Sequence, residues 1–211
     1  MDRELAFYHA PNTRSTGVRI LLEELGAPYT LHALNRHLNE QQGEAYRAIN
    51  PAGKVPAIRH GDAVITEQVA LFIYLADLFP AAGLTPALND PLRGPYLRWI
   101  AYYGSAFEPA VVDRALQREP GGHAMSPYGT FDTVISTVSN QLQTGPYLFG
   151  ERFTAADVLW GTALAWTMKF KIVPERPEFL AYAARVGARP AVAQVRAADA
   201  ALEAGQKAAA A

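Results

Sequence analysis

Cysteine is absent from the 211 residues of this sequence. Disulfides, thiolate metal ligands and a protein thiol nucleophile are therefore excluded. Charge is also sparse, because charged residues make up 18% of the chain, the net charge is −1 and no run of lysine or arginine occurs. Nucleic acids and anionic membrane surfaces select for clustered cations, so we expect neither as a partner.

Long apolar runs are equally scarce. The segment 158–168 is almost wholly apolar, but it falls short of the roughly 20 residues that cross a bilayer. The N-terminus lacks the apolar core of a signal peptide, which predicts a cytoplasmic protein. Hydrophobic content of 50% predicts a globular chain. The histidines show no metal-ligand spacing and no glycine-rich phosphate loop occurs, so we expect no metal and no nucleotide.

The first eighty residues alternate short apolar strands with helices. A strand over 5–8 precedes an apolar stripe of helical spacing, with a helix stop at Gly26. A second strand over 29–34, a hairpin over 57–65 and a further helix follow. This order of elements resembles a thioredoxin fold. The stripe of the first helix consists of Val18, Leu21, Leu22 and Leu25.

The remainder of the chain is predicted to be helical. Pro80, Gly83, Pro86 and Pro91 lie within a dozen positions. This cluster predicts a linker over 81–90 between a first domain over 1–80 and an all-α helical bundle domain over 91–211. Thr154 and Asp157 form a capping box pattern that starts a buried central helix. The alanine-rich tail, 197–211, is predicted to fray.

The segment 50–56, Asn-Pro-Ala-Gly-Lys-Val-Pro, predicts a peptide-binding edge. Val55 precedes a proline and is biased to an extended conformation, while Pro56 has no N–H to offer. The backbone of Val55 is thus suited to pairing with an extended peptide. Eleven residues after Pro56, Glu67 and Gln68 open an apolar helix, whose N-terminus suits a carboxylate. A small acidic tripeptide would need both features.

The motif at 50–56, Glu67 at the helix start and the capping box at Thr154 resemble the cytosolic glutathione transferase family, in its bacterial members with a hydroxyl-type active site. The resemblance implies that Pro56 is cis, that the Val55 backbone binds the cysteinyl part of glutathione, and that Glu67 holds the γ-glutamyl end. Gln68 stands where the family usually has serine. The glutathione-binding residues implied are Val55, Pro56, Glu67, Gln68, Lys54, His37 and Arg36, the last two for the glycine carboxylate.

The same resemblance places the residue that contacts the glutathione sulfur in the loop after the first strand. Arg14 falls where cysteine-type members carry their active-site cysteine, which excludes a mixed disulfide of that type. Several alternatives remain for the hydroxyl or amide donor. In our order of preference they are Thr13, then Asn12 and Ser15, and last Tyr8.

The resemblance further implies a homodimeric enzyme that conjugates the glutathione thiolate to hydrophobic electrophiles, with glutathione as a substrate. The alternatives are a glutathione-dependent disulfide reductase or peroxidase, and a non-catalytic binding or regulatory protein with the same fold. Aromatic residues of the helical domain are candidates for the electrophile pocket. They are Tyr102, Tyr103, Phe107, Trp166 and Phe170.

Overall fold

The computed structural model describes residues 4–122 and 124–210. In this part of the chain, contacts define two compact units, one comprising the residues up to Ala82 together with those from Pro190 onwards, the other Gly83–Arg189. The strands are Leu5–His9 (β1), Thr30–Ala33 (β2), Ala57–His60 (β3) and Ala63–Ile65 (β4). The helices are Ser15–Leu25 (α1), Glu44–Arg47 (α2), Gln68–Leu78 (α3), Arg93–Tyr102 (α4), Glu108–Ala115 (α5), Phe131–Leu142 (α6), Ala155–Lys169 (α7), Pro177–Gly187 (α8) and Pro190–Ala209 (α9).

The sheet of the first unit has the strand order β2-β1-β3-β4. β1 and β2 are parallel, whereas β1 with β3 and β3 with β4 are antiparallel. This mixed sheet and its helices confirm the predicted thioredoxin-like fold of the N-terminal domain. The register pairs Tyr8 with Ala57, so the end of β1 lies beside the start of β3.

Helix α1 follows the predicted pattern. Its predicted apolar stripe is buried from Val18 to Leu25. Gly26 ends the helix with a left-handed backbone, φ 61°, and its N–H donates to the carbonyl of Glu23. A residue without Cβ takes this conformation at no steric cost, which is why the helix ends here.

The C-terminal tail corrects the prediction that 197–211 frays. Helix α9 runs from Pro190 to Ala209 and packs along α1. By its contacts it belongs to the first unit, although the sequence analysis assigned it to the domain over 91–211. Its buried positions recur every three or four residues and so form one face. They are Val192, Val195, Asp199, Glu203 and Gln206.

The region after the linker is helical, as predicted, but a π-helical segment, Tyr103–Phe107, joins α4 to α5. At its end, the N–H of Glu108 donates to the carbonyl of Tyr103, five residues back. The next residue, Pro109, has no N–H and its ring crowds the carbonyl four residues earlier. The widened turn accommodates both constraints.

The second unit packs around the indole of Trp160 on α7, which is fully buried. Its ring N–H donates to the carbonyl of Trp99 over 3.0 Å. The rings of Trp99 and Phe107 lie 5.5 and 4.9 Å from it, centroid to centroid. Helices from several parts of this unit therefore share one aromatic core, which confirms the predicted helical C-terminal domain.

The predicted capping box at the start of α7 is present. Oδ2 of the buried Asp157 accepts the N–H and the hydroxyl of Thr154, at 2.8 and 2.9 Å. Oδ1 accepts the N–H of Leu148 at 2.8 Å and the hydroxyl of Tyr182 at 2.9 Å. The carboxylate thus fixes the helix start, the preceding loop and α8 together.

We predict that Asp157→Asn destabilises the protein by about 3 kcal/mol. The amide nitrogen would replace one carboxylate oxygen and direct its N–H groups at the two groups that now donate to that oxygen, so these two donors would lose their acceptor. Denaturant unfolding measures this change. Asp132→Asn, at an exposed acid in the first turn of α6, is the control and should stay within about 0.5 kcal/mol of the parent. Equal stability of the two variants would show that the Asp157 carboxylate has no special role.

Candidate active site

Segments that are distant in sequence meet at one edge of the sheet. The end of β1 leads into residues 10–14, and β2, which is parallel to it, ends at the same edge. The antiparallel strand β3 begins there, preceded by Val55. The start of α3 joins the loop after β1, because Gln68 Nε2 donates to the Arg14 carbonyl over 3.2 Å. Every segment of the predicted glutathione site therefore belongs to one edge of the first unit.

Val55 presents the backbone edge that the sequence predicts. The Val55–Pro56 peptide bond is cis, as the resemblance implies. Among the residues that the structure describes, neither the N–H nor the C=O of Val55 has a hydrogen-bond partner. The preceding carbonyl, of Lys54, is held by the Tyr46 hydroxyl at 2.6 Å and by Asn50 Nδ2 at 2.7 Å. A braced loop thus exposes one residue that can pair with an extended peptide.

Glu67 precedes α3 in an unusual backbone conformation, with φ 64° and ψ 118°. Residues other than glycine adopt positive φ only at a cost, and such residues cluster at ligand sites. The Glu67 side chain is exposed, and its carboxylate has no partner within the described part of the chain. It can therefore accept a ligand amine, while the first turn of α3 favours a ligand carboxylate.

The two hydroxyl candidates, Thr13 and Ser15, lie in different environments. Ser15 is fully buried, and its Oγ is within 3.1 Å of the Ala10 N–H and 2.9 Å of the Ala10 carbonyl. Thr13 is half-buried, and its Oγ1 lies 2.7 Å from the Ala10 carbonyl and 2.6 Å from Ser15 Oγ. Of the two, Thr13 is the one that a ligand can reach.

The other two candidates for the sulfur contact also differ. The Tyr8 ring is buried in a cluster with Tyr46 and Ala57 and stacks on His32, with centroids 4.9 Å apart. Asn12 is exposed, with a left-handed backbone, φ 56°, a conformation that asparagine tolerates well. It lies in a depression of about 380 Å³ that includes Thr16 and residues of α9.

Behind Thr13 and Ser15 lies a buried imidazole that the sequence analysis did not identify. His9, the last residue of β1, is fully buried, with Nδ1 2.9 Å from Ser15 Oγ and Nε2 3.0 Å from Asp199 Oδ1. Arg19 donates to the same carboxylate oxygen at 2.7 Å, and the Thr16 hydroxyl donates to Oδ2 at 2.6 Å. Burial opposes ionisation of Asp199, but these donors outweigh it and lower the pKa of its carboxyl. Asp199 is thus a carboxylate at neutral pH.

The residues predicted for the glycine carboxylate follow β2. His37 Nε2 lies 3.0 Å from Glu203 Oε1 of α9, and Lys207 Nζ lies 3.4 Å from the same oxygen. Burial opposes ionisation of Glu203, yet hydrogen bonds from His37 and Lys207 lower its pKa. Arg36 is half-buried and the Lys54 side chain is exposed. His37 can therefore reach a ligand only in competition with Glu203.

The predicted electrophile-site aromatics of the second unit fall into two groups. Tyr103 and Phe107 are buried, and Tyr102 stacks on Trp160 with centroids 6.4 Å apart. The second group consists of Trp166 and Phe170, at the end of α7. Their side chains are 42% and 56% exposed, and their ring centroids lie 4.7 Å apart. Only the second group, together with the partly buried Tyr102, presents aromatic surface.

Within residues 4–122 and 124–210, no group of three or more His, Asp or Glu side chains is placed to hold a metal ion. In the same part of the chain, no helix combines the length and apolar character needed to cross a membrane.

The fold and the site geometry together define a class. It has a thioredoxin-like domain, in which a residue without backbone partners among the described residues precedes a cis-proline, followed by a helical domain. Two family descriptions match the chain, "Glutathione S-transferase, N-terminal domain" over residues 3–77 and "Glutathione S-transferase, C-terminal domain" over residues 129–190.

Individual proteins agree with these matches. The glutathione S-transferase GstA of Escherichia coli O157:H7 is 27% identical over 191 residues, which cover 89% of this chain and 95% of that protein. A solved glutathione transferase of Methylococcus capsulatus is 29% identical, with a TM-score of 0.79 over 93% of this chain and 98% of the other. A Sulfitobacter homologue solved with bound glutathione is 29% identical, with a TM-score of 0.73 over 92% and 97% of the two chains. The chain belongs to the glutathione S-transferase family, and its activity is that of a glutathione transferase.

Proposed function

We propose that this protein binds glutathione along the edge formed by Val55 and conjugates its thiolate to hydrophobic electrophiles. The observation that carries the proposal is the unpartnered backbone of Val55 beside the Thr13 loop and the start of α3. The cysteinyl part of glutathione pairs with Val55, and its γ-glutamyl end lies at Glu67 and the α3 N-terminus. The glycine end lies towards His37, Arg36 and Lys54.

The chemical task of such a site is to ionise a thiol. A free thiol has a pKa of about 8.5, and lowering it by about two units requires roughly 2.7 kcal/mol of preferential thiolate stabilisation. A helix N-terminus supplies about 0.3–1 kcal/mol. A hydrogen-bond donor or a cation has to supply the rest.

Thr13 is the donor that we propose. Its hydroxyl is accessible at the N-terminal end of α1, whereas Ser15 is fully buried and the Tyr8 ring packs in the core. Asn12 is exposed and is the second choice. A hydroxyl that donates to a thiolate forms a charge-assisted hydrogen bond, roughly twice as strong as a neutral one.

We predict that Thr13→Ala raises the pKa of glutathione's bound thiol by about one unit, which lowers the ratio of thiolate to thiol at a given pH about tenfold. The ultraviolet absorbance of the thiolate, titrated against pH, measures this. Thr13→Ser keeps the hydroxyl and is the matched control. An unchanged titration in Thr13→Ala, together with a shift in Asn12→Ala, would transfer the role to Asn12.

The purified protein also allows a direct test of the activity. Retention on immobilised glutathione together with turnover of a chloronitrobenzene is the expected result. The alternatives of a disulfide reductase or peroxidase and of a non-catalytic protein are not favoured by the comparisons. Retention with disulfide reduction but without conjugation would reverse that preference, and a failure to bind would remove the transferase proposal.

For the electrophile, we propose the exposed aromatic surface of Trp166 and Phe170, with Tyr102 as a further candidate. An apolar acceptor that covers such a ring is removed from water and gains free energy in proportion to the buried area. Tyr103 and Phe107 are already buried in the core, so their part in this site stays a prediction.

We predict that Trp166→Ala raises KM for a hydrophobic acceptor about fivefold, because the apolar contact is lost, while KM for glutathione stays unchanged. Steady-state kinetics with each substrate varied in turn separate the two. Leu180→Ala removes another exposed apolar side chain, 47% exposed on α8, and should leave both values unchanged. Equal effects of the two variants would argue against a site at Trp166.

We also propose a homodimer in the cytoplasm, as the family resemblance implies. Sedimentation at micromolar concentration should give a species of twice the chain mass of 22.9 kDa. A stable species at the mass of one chain would contradict the dimer.

A further inference from the structure

A continuous chain of hydrogen bonds connects the proposed sulfur contact to a buried ion pair. Thr13 Oγ1 lies 2.6 Å from Ser15 Oγ, which lies 2.9 Å from His9 Nδ1, and His9 Nε2 lies 3.0 Å from Asp199 Oδ1. Thr13 is its only half-buried member, while His9 and Ser15 are fully buried. The series of hydrogen bonds therefore runs from the surface of the site into the core.

Counting donors gives the direction of these bonds. Asp199 is ionised and only accepts, so His9 Nε2 carries a proton and, in a neutral imidazole, Nδ1 is an acceptor. Ser15 must then donate to Nδ1. Two hydroxyl oxygens 2.6 Å apart need a proton between them, so Thr13 donates to Ser15. The Thr13 proton is shared in a three-centre hydrogen bond with the Ala10 carbonyl, 2.7 Å from Thr13 Oγ1. In this state every donor points inward, and one lone pair of Thr13 Oγ1 remains for a ligand.

We propose that this chain, Thr13–Ser15–His9–Asp199, is a proton relay that carries the glutathione thiol proton to the His9 ring. The proposal rests on the proposed function, since it needs the thiol at Thr13. The S–H bond breaks as its proton passes to Thr13 Oγ1, the Thr13 proton passes to Ser15 Oγ, and the Ser15 proton passes to His9 Nδ1. The products are a thiolate and an imidazolium, and no proton is gained or lost.

The surroundings satisfy both ends of this transfer. Afterwards His9 donates to Ser15 and Thr13 donates to the thiolate. Ser15 donates to Thr13 and shares that proton with the Ala10 carbonyl, 2.9 Å from Ser15 Oγ. The Ala10 N–H bonds Ser15 Oγ in both states, and the Ser15 N–H bonds Thr13 Oγ1 in both. The same heavy atoms therefore serve the thiol and the thiolate without rearrangement.

The charges also balance. Asp199 Oδ1, on α9, contacts His9 and also accepts a hydrogen bond from Arg19 on α1. The charges of Asp199 and Arg19 sum to zero. The Phe7 ring, 5.5 Å away, covers another side of the imidazole without contributing charge. An imidazolium makes the cluster positive by one charge, and the thiolate on the far side of Thr13 compensates it. After conjugation the proton returns along the same hydroxyls to solvent.

The relay can be tested by comparing the amount of thiolate formed with the number of protons released to the buffer. If Thr13 only donated, each thiolate formed would release a full proton to the buffer. If His9 keeps the proton, glutathione binding forms thiolate with much less than a full proton released. Calorimetry of glutathione binding in buffers of different ionisation enthalpy counts the released protons, and ultraviolet absorbance counts the thiolate.

For the unmodified protein at neutral pH we expect thiolate formation with release of only a small fraction of a proton. Nitrogen NMR of the histidine side chains should show the His9 ring changing from one protonated nitrogen to two when glutathione is added. Thr13→Ala should abolish that change, although it leaves the His9–Asp199 contact in place. The proton count and the first NMR measurement use the unmodified protein and therefore need no variant.

A carboxylate variant adds a second test. Asp199→Asn removes the charge that accompanies the imidazolium, and we expect the ratio of bound thiolate to thiol to fall about tenfold while glutathione still binds. Glu23→Gln is the matched control, because Glu23 also joins α1 to α9 through Gln194 at 3.1 Å but lies outside the relay. It should leave the thiolate fraction and the proton count unchanged.

The outcomes distinguish the relay from the function on which it rests. Release of a full proton per thiolate, or a His9 ring that stays neutral with glutathione bound, overturns the relay and leaves the transferase proposal intact. If the unmodified protein does not bind glutathione or forms no thiolate, the proposed function fails and the relay fails with it.

Discussion

The buried carboxylate of Asp199 connects α9 to β1 and α1 in the N-terminal domain. A buried charge is costly unless its oxygens are paired, and here Oδ1 takes His9 and Arg19 while Oδ2 takes Thr16. These donors come from β1 and α1, so the carboxylate is satisfied only when α9 lies along α1. The same contact orients His9, and through Ser15 it orients the hydroxyl of Thr13. The packing of α9 on α1 and the geometry of the proposed sulfur-contact site thus depend on the same carboxylate.

The sheet register supplies the other half of the site. Because β1 and β2 are parallel and β3 is antiparallel to β1, the loop after β1 and Val55, two positions before β3, lie at the same edge of the sheet. Val55 keeps its backbone groups available there, since the fold braces Lys54 and Gly53 instead, through Tyr46 and Gln42. Binding a peptide then requires little ordering of the protein, which is the advantage of a preformed edge.

Those parts of the fold and site that depend on short stretches of sequence could be predicted. The stripe of α1, its stop at Gly26 and the capping box of α7 each involve residues within one or two helical turns, and all are confirmed. The prediction that 197–211 frays was wrong for the described residues, which are helical up to Ala209. The alanine-rich composition gave no sign that Asp199 would be buried against β1 and α1 and so hold the helix in place. The π-helical segment before Pro109 was also missed, since its proline suits a helix start as well as a widened turn.

The sequence by itself determined the thioredoxin-like order of elements, the family motif at Val55 and Pro56, and the absence of any thiol nucleophile. Only the tertiary structure decided that Ser15 is buried behind Thr13 and that His9 joins it to Asp199. The physical reason is distance along the chain: His9 and Asp199 are 190 positions apart, and no local pattern of polarity or spacing records which side chains meet once β1, α1 and α9 have packed.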